Sequence, residues 1–149
     1  MTPTPAHMWH TPCLANILWD FSRTTDWLPA VRSRQSDLRL MAKIIWRGWV
    51  RILRDRKGPA AFIARDGEQI HALYVHSRAR GKGFGTALLS EAKSITDPLE
   101  LWVVEANEAA RQFYLHHGFV EVERGYGTGN DENLMGIRMV WTSEGGTTQ

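Results

Sequence analysis

A chain of 149 residues, 43% hydrophobic and 23% charged, has the length and balance of one soluble domain built on a single core. Its net charge of +2, with Lys and Arg scattered among acids, argues against nucleic acid as the main partner, and its one cysteine, Cys13, excludes an internal disulfide framework and argues against a zinc site. No run of eighteen apolar residues occurs and Met1 to His10 lacks the basic start and apolar stretch of a secretion signal, so a cytoplasmic protein without membrane contact is expected.

The whole chain, 1–149, reads as one domain with loose ends at about 1–10 and 143–149, where Thr2-Pro3-Thr4-Pro5 and the run from Ser143 to Gln149 offer little to pack. Thr11-Pro12 predicts a helix start, with the hydroxyl as cap and proline at the first helical position, followed by Leu14, Ile17, Leu18 and Phe21 at helical spacing. Cys13 falls in this apolar stretch and is expected to be a buried, inert thiol. Pro29 ends the segment, and Ser36-Asp37 opens a second helix through Leu38, Met41 and Ile44-Ile45.

Trp46 to Arg54 predicts a strand. Asp55 to Pro59 is a turn, Ala60 to Arg65 the returning strand, Asp66-Gly67 a tight hairpin and Glu68 to His76 a third strand, giving an antiparallel meander. The basic stretch Arg47, Arg51, Arg54, Arg56, Lys57 lies here and reads as a solvated strand face. Phe84, Leu88, Ala92 and Ile95 mark a helix that Asp97-Pro98 ends, and Leu99 to Val104 is a strand. Asn107 caps a helix with inner face Ala110, Phe113, Tyr114 and His117, stopped by Gly118. Phe119 to Glu123 and Leu134 to Trp141 are the last strands, joined by a polar loop. Most of the seven tryptophans are expected in the core or along one groove.

The sharpest feature is Arg80-Gly81-Lys82-Gly83-Phe84-Gly85-Thr86, between a strand and a helix. Glycines bring backbone N–H groups close to a ligand, and a helix N-terminus adds free N–H groups and partial positive charge, which together suit a phosphate or pyrophosphate. A Walker A loop would need a Gly-Lys-Ser/Thr ending, which is missing. A dinucleotide fingerprint would need another final glycine spacing, and neither follows an antiparallel meander.

Arg80-x-x-Gly83-x-Gly85 instead resembles the pyrophosphate-binding motif of the GNAT acyltransferases. The flanking Leu73-Tyr74-Val75 and Thr86-Ala87-Leu88-Leu89 match as well. Asn107-x-x-Ala110-x-x-Phe113-Tyr114-x-x-His117-Gly118-Phe119 resembles that family's second coenzyme motif, and the likeness runs from about Trp46 to Trp141. It implies a mixed α/β fold: a mainly antiparallel central sheet with a splayed parallel strand pair, flanked by helices. The family's usual first strand has only Ala6 to His10 to supply it here.

The resemblance implies acetyl-CoA as co-substrate, no metal, and acetyl transfer to a primary amine. The coenzyme's pyrophosphate would lie on the N–H groups of Gly81, Lys82, Gly83, Phe84, Gly85 and Thr86 beside Arg80, and its pantetheine arm along Leu73, Tyr74 and Val75. A backbone N–H near Val75 would polarise the thioester carbonyl. Asn107 would touch the pantetheine as well as cap its helix, and Tyr114 would protonate the departing thiolate. For the base that takes the amine's proton, Glu105 is the nearest carboxylate in sequence. His76, His71 and a water relay are alternatives, the two histidines being five residues apart and so on opposite strand faces. His116 and His117 read as surface or core residues. The acceptor, a small-molecule or peptide amine, would be met by the first two helices and the last strand pair. Trp27-Leu28-Pro29, Asn130-Asp131-Glu132-Asn133 and Arg138 are candidates, the four-residue run being either a hold for a cationic amine or a polar turn, and Arg138 facing either an acceptor carboxylate or a neighbouring Glu. A homodimer is the expected assembly. The alternative functions are an acyl-CoA-sensing module without catalysis and, more weakly, nucleic-acid binding through Arg47, Arg51 and Arg54 with Trp46 and Trp49.

Overall fold

A computed structural model describes residues 2–25, 34–126 and 134–143. In chain order the elements are β1 (Thr4–Pro5), α1 (Thr11–Arg23), α2 (Arg34–Trp46), β2 (Val50–Asp55), β3 (Gly58–Asp66), β4 (Gln69–Val75), α3 (Phe84–Ile95), β5 (Leu99–Val104), α4 (Glu108–His116), β6 (Val120–Gly125) and β7 (Gly136–Trp141), with 3-10 turns at Met8–His10 and Ser77–Ala79. The strands form one sheet in the order β1-β2-β3-β4-β5-β7-β6. Every neighbouring pair is antiparallel except β4 and β5, which α3 connects as a crossover.

Strand β3 reads as a nearly continuous apolar run because both of its faces are buried. Phe62 and Ala64 enter the core beneath α1 and α2, with Leu14, Ile17, Leu18, Met41 and Ile52. Ala61 and Ile63 enter the core beneath α3 and α4, with Leu88, Leu89, Leu101, Phe119 and Met139. Each fully buried aliphatic side chain contributes about 1.5–3 kcal/mol of transfer free energy.

The first strand is present but earlier and shorter than Ala6 to His10: Thr4 and Pro5 pair with Ile52 and Arg51, while Met8–His10 turns into α1. Thr11 is the first residue of α1, not its cap, and its hydroxyl donates back to the Met8 carbonyl at 2.7 Å. The strand expected from Trp46 starts only at Val50. Gly48, at φ 77°, turns left-handed and closes α2: its N–H reaches the Ile45 carbonyl at 2.9 Å, and the Trp49 N–H reaches Ile44 at 3.2 Å.

Of the six tryptophans among the described residues, Trp19, Trp49 and Trp141 pack against the cores at partial burial and Trp102 lines a crevice, while Trp9 and Trp46 are the most exposed. A buried indole N–H needs an acceptor. Trp19 finds one at the rim, donating to Asp37 Oδ2 at 2.8 Å. Cys13 is exposed, because it lies about 100° round the helix from Leu14, at the edge of the buried stripe. The basic stretch is not one solvated face either: Arg51 reaches Glu91 on α3 with Nε at 2.9 Å and Nη2 at 2.6 Å.

The parallel joint positions the site. β4 and β5 are in register only at Gln69↔Glu100 and Ile70↔Leu101, and beyond those two rungs they separate. Against β3, the register moves from Ala64↔Ala72 to Arg65↔Ile70, leaving His71 as the extra residue of a bulge. Strand alternation is broken there, so the spacing of His71 and His76 does not assign them to opposite faces.

Candidate active site

The separation of β4 from β5 opens a crevice of about 610 Å³, lined by Leu73, Tyr74 and Val75 of β4, Arg80 and Gly85 of the glycine loop, Asn107, Ala110, Phe113 and Tyr114 around α4, and Phe21, Thr24 and Thr25 at the end of α1. A smaller crevice of about 150 Å³ adjoins it, reaching His71, Ala72 and Leu101 to Val104. The two share Phe21, Leu73, Tyr74, Asn107, Ala110 and Tyr114, so they meet at the middle of the molecule.

The glycine loop stands at the end of the larger crevice. Gly81 (φ 77°) and Gly83 (φ 86°) are left-handed, and Gly83 caps α3. Gly85 is needed for a different reason: a Cβ there would come within 3.3 Å of the Phe113 ring and 3.8 Å of Val75. Ala87 is the first α3 residue to close a helical turn, on the Gly83 carbonyl at 3.0 Å. The N–H groups of Phe84, Gly85 and Thr86 therefore lie at the positive end of the helix without intrahelical acceptors. The Phe84 side chain turns into the core and Lys82 is exposed, so Phe84 can offer a ligand only its backbone. Arg80 donates through Nε to the Val75 carbonyl at 3.3 Å. Thr86 Oγ1 lies 3.3 Å from His117 Nε2.

On the other wall, the Asn107 side chain accepts from the Ala110 N–H at 3.2 Å and caps α4. Tyr114 is 7% exposed, with edge-on contacts to Phe113 and Phe119. Burial, with a smaller contribution from Tyr74, pushes its phenol far above the ordinary range, so it stays protonated at neutral pH. His117 is held below the ordinary imidazole value by burial and by the nearby Lys93 and His116.

The sequence candidates are partly brought together. Leu73, Tyr74, Val75, Arg80, Gly85, Asn107 and Tyr114 line one crevice, with the rest of the glycine loop beside them. Glu105 lines neither crevice: it is ion-paired with Arg124. His76 has both ring nitrogens engaged, Nδ1 accepting from the Arg78 N–H at 3.1 Å and Nε2 facing Asp20 Oδ1 at 3.6 Å. His71 lines the smaller crevice and stacks on Trp49 at 4.9 Å. Arg138 meets neighbouring acids, Glu100 at 2.9 Å and Glu123 at 3.5 Å. Trp27-Leu28-Pro29 and Asn130 to Asn133 lie outside the described residues.

Sequence reasoning missed Asp20. Its side chain is buried on α1, yet accepts from both the N–H and the hydroxyl of Ser77, each at 2.9 Å. A lone Asp on the apolar face of a predicted helix was the available signal.

A splayed parallel joint ending in a glycine loop and a helix N-terminus defines an acyl-coenzyme A transferase fold. A model of the "Acetyltransferase (GNAT) domain" matches residues 41–121, more than half of the chain, and the protein belongs to the GNAT acetyltransferase family. Over 71 residues it is 35% identical to the peptidyl-lysine N-acetyltransferase YjaB of Escherichia coli, covering 48% of each chain. Over 64 residues it is 38% identical to the uncharacterized N-acetyltransferase MJ1207 of Methanocaldococcus jannaschii, covering 40% of this chain and 28% of that one. The matches thus span less than half the length of these curated relatives. The solution structure of apo YjaB superimposes with a TM-score of 0.77 at 22% identity, over 95% of this chain and 98% of that one. The structure of yncA from Salmonella typhimurium with acetyl-CoA gives 0.70 at 17% identity, over 95% and 93%.

Proposed function

We propose that the protein transfers the acetyl group of acetyl-CoA to a primary amine by direct attack. The observation that carries this is the two-rung joint between β4 and β5, opening into a crevice that runs from the glycine loop to Tyr114. Its volume lies within the usual range for a ligand site, about 300–1,000 Å³. Gly85 keeps the passage beside Phe113 clear, and the N–H groups at the start of α3, with Arg80, suit a pyrophosphate.

Each residue then has a task. The backbone of Leu73 to Val75, left without rungs to β5, pairs with the pantetheine amides, and an N–H near Val75 faces the thioester oxygen. Attack by the amine lone pair on the carbonyl carbon places negative charge on that oxygen, where this donor stabilises it. As the C–S bond breaks, Tyr114 gives its proton to the leaving sulfur. The amine loses its own proton through the smaller crevice, to water with His71 at the wall. Glu105, held by Arg124 outside both crevices, is assigned no part.

The acceptor enters from the side of Phe21, Thr24 and Thr25. The E. coli relative is named for peptidyl lysine, so lysine peptides head the amine panel, followed by small amines. The test is the thermal midpoint with and without acetyl-CoA, beside Gly83→Glu, followed by thiol release with the panel. Acetyl-CoA at a hundred times its Kd adds about 2.7 kcal/mol of stability. A rise in wild type that Gly83→Glu abolishes, and amine-dependent thiol release, support the transferase. Binding with no turnover on any amine would make the protein a coenzyme sensor instead.

A further inference from the structure

Asp20 sits 2% exposed on α1, where the pattern of Leu14, Ile17, Leu18 and Phe21 calls for an apolar side chain. Burial pushes its carboxyl up, but the Ser77 hydrogen bonds and the nearby His76 and Arg80 outweigh this and hold it below the ordinary carboxylate range. Its partners are not spread over the sheet. Ser77 N and Oγ donate at 2.9 Å each, His76 Nε2 lies at 3.6 Å and Arg80 Nη2 at 3.7 Å. All three residues belong to the short connection that leaves β4 and enters the glycine loop. Arg23, one turn further along α1, adds a contact at 3.3 Å.

The geometry follows from donor arithmetic. His76 Nδ1 accepts from the Arg78 N–H, so in the neutral ring the proton is on Nε2, facing the carboxylate. The carboxylate also receives the Ser77 N–H, at the start of the 3-10 turn Ser77–Ala79. Arg80 is held at two points, Nε on the Val75 carbonyl and Nη2 toward Asp20. Next to Asp20 in sequence, Phe21 lines both crevices.

We propose that Asp20 is a positioning residue for coenzyme binding: from α1 it fixes the entry to the glycine loop and the guanidinium of Arg80, and it joins that loop to the crevice wall at Phe21, Thr24 and Thr25. This rests on the acetyl-CoA reading above. Removing a negative charge near an anion site should by itself tighten anion binding, whereas loss of positioning should weaken it, so the sign of the effect is diagnostic.

The experiment measures the Kd of acetyl-CoA by calorimetry, the thermal midpoint, and KM against kcat for wild type, Asp20→Asn, Arg80→Gln and the double variant. Asp20→Asn should raise Kd and KM for acetyl-CoA roughly 10- to 100-fold, the scale of one or two charge-assisted hydrogen bonds, with a much smaller change in kcat at saturation. In the Arg80→Gln background the same substitution should have a smaller effect on Kd, the part carried by Ser77 and His76, while its effect on the thermal midpoint should persist. If Asp20→Asn does not fold, Ser77→Ala, at an exposed residue of the turn, carries the same test by removing one donor. A lower thermal midpoint with Kd unchanged, a tighter coenzyme complex, or additive effects of Asp20 and Arg80 on Kd would each overturn the proposal. Wild-type protein that fails to bind acetyl-CoA would overturn the transferase reading itself, and this one with it.

Discussion

Replacing Tyr114 with phenylalanine separates chemistry from packing. The ring contacts Phe113 and Phe119 at centroid distances of 5.3 and 5.4 Å, and phenylalanine keeps both. Tyr114 lines both crevices, where its O–H can meet a ligand. Stability should change by less than about 1 kcal/mol, the net scale of one hydrogen bond. The rate should change far more. A positioned general acid contributes about 10²–10⁴-fold, or roughly 2.7–5.4 kcal/mol of barrier. Reference values of about 10 for a phenol and 8.5 for a thiol make the transfer uphill by about 2 kcal/mol. That reference difference is small beside the roughly 16 kcal/mol barrier of a turnover near 10 per second, and burial of the Tyr114 phenol adds to it. The assay is colorimetric thiol release at saturating acetyl-CoA and amine, with thermal midpoints alongside. Because burial raises the Tyr114 pKa, log kcat in wild type should show no alkaline fall from this group up to about pH 10. The sign for stability is the same: what the neutral buried phenol contributes is complete below about pH 10 and is lost as pH rises further. A variant that folds as wild type but loses less than about threefold in kcat would refute the general-acid role.

Gly83→Ala tests the loop by strain alone, since nothing lies within 4 Å of the added methyl while φ is +86°. It should cost about 1–2 kcal/mol, seen as a fall of roughly 2–8 °C in thermal midpoint, and should shrink the rise produced by acetyl-CoA. Gly85→Val tests crowding: its first carbon already meets Phe113 at 3.3 Å, so KM for acetyl-CoA should rise, and an unchanged KM would show that the passage does not carry the pantetheine. Glu105→Gln should keep kcat within about twofold and leave the pH profile in place, whereas loss of a true general base would cost about 10²–10⁴-fold. Asp55 is held down to about 2 by its Arg78 hydrogen bonds, opposed by a smaller burial effect. The stability it adds is complete above the ordinary value of 3.8 and is lost as pH falls towards 2, so Asp55→Asn should flatten that part of the acid-unfolding curve.

What was legible in the sequence was local. Asn107 caps α4, Gly118 (φ 91°) stops it, and the glycine loop sits between β4 and α3, because each signal lies within a few residues of the structure it sets. The start of β2 was misplaced because Trp46, Trp49 and Val50 read as strand formers, while the left-handed turn at Gly48 decides where α2 ends. Thr4 and Pro5 carry no periodicity; only the far-off edge of β2 makes them a strand. Asp20 stood out only as a lone acid on an apolar helix face, and its partner could not be read because Ser77 is 57 residues away. Closeness of Glu105 to Asn107 in sequence says nothing of where its carboxylate points, and in the fold it points to Arg124.

The two-rung joint between β4 and β5 has a further meaning. A seven-stranded sheet is ordinarily driest at its middle and wettest at its edges, yet here unpaired backbone borders a crevice at the middle. Backbone groups so placed would have to be met by water in the free molecule. A chain-like ligand that pairs with those groups and covers Phe113 and Tyr114 expels that water. Its binding should then have the calorimetric signature of a last step of folding, a negative heat-capacity change from apolar burial. Each product released would leave the protein, in that thermodynamic sense, slightly unfinished again.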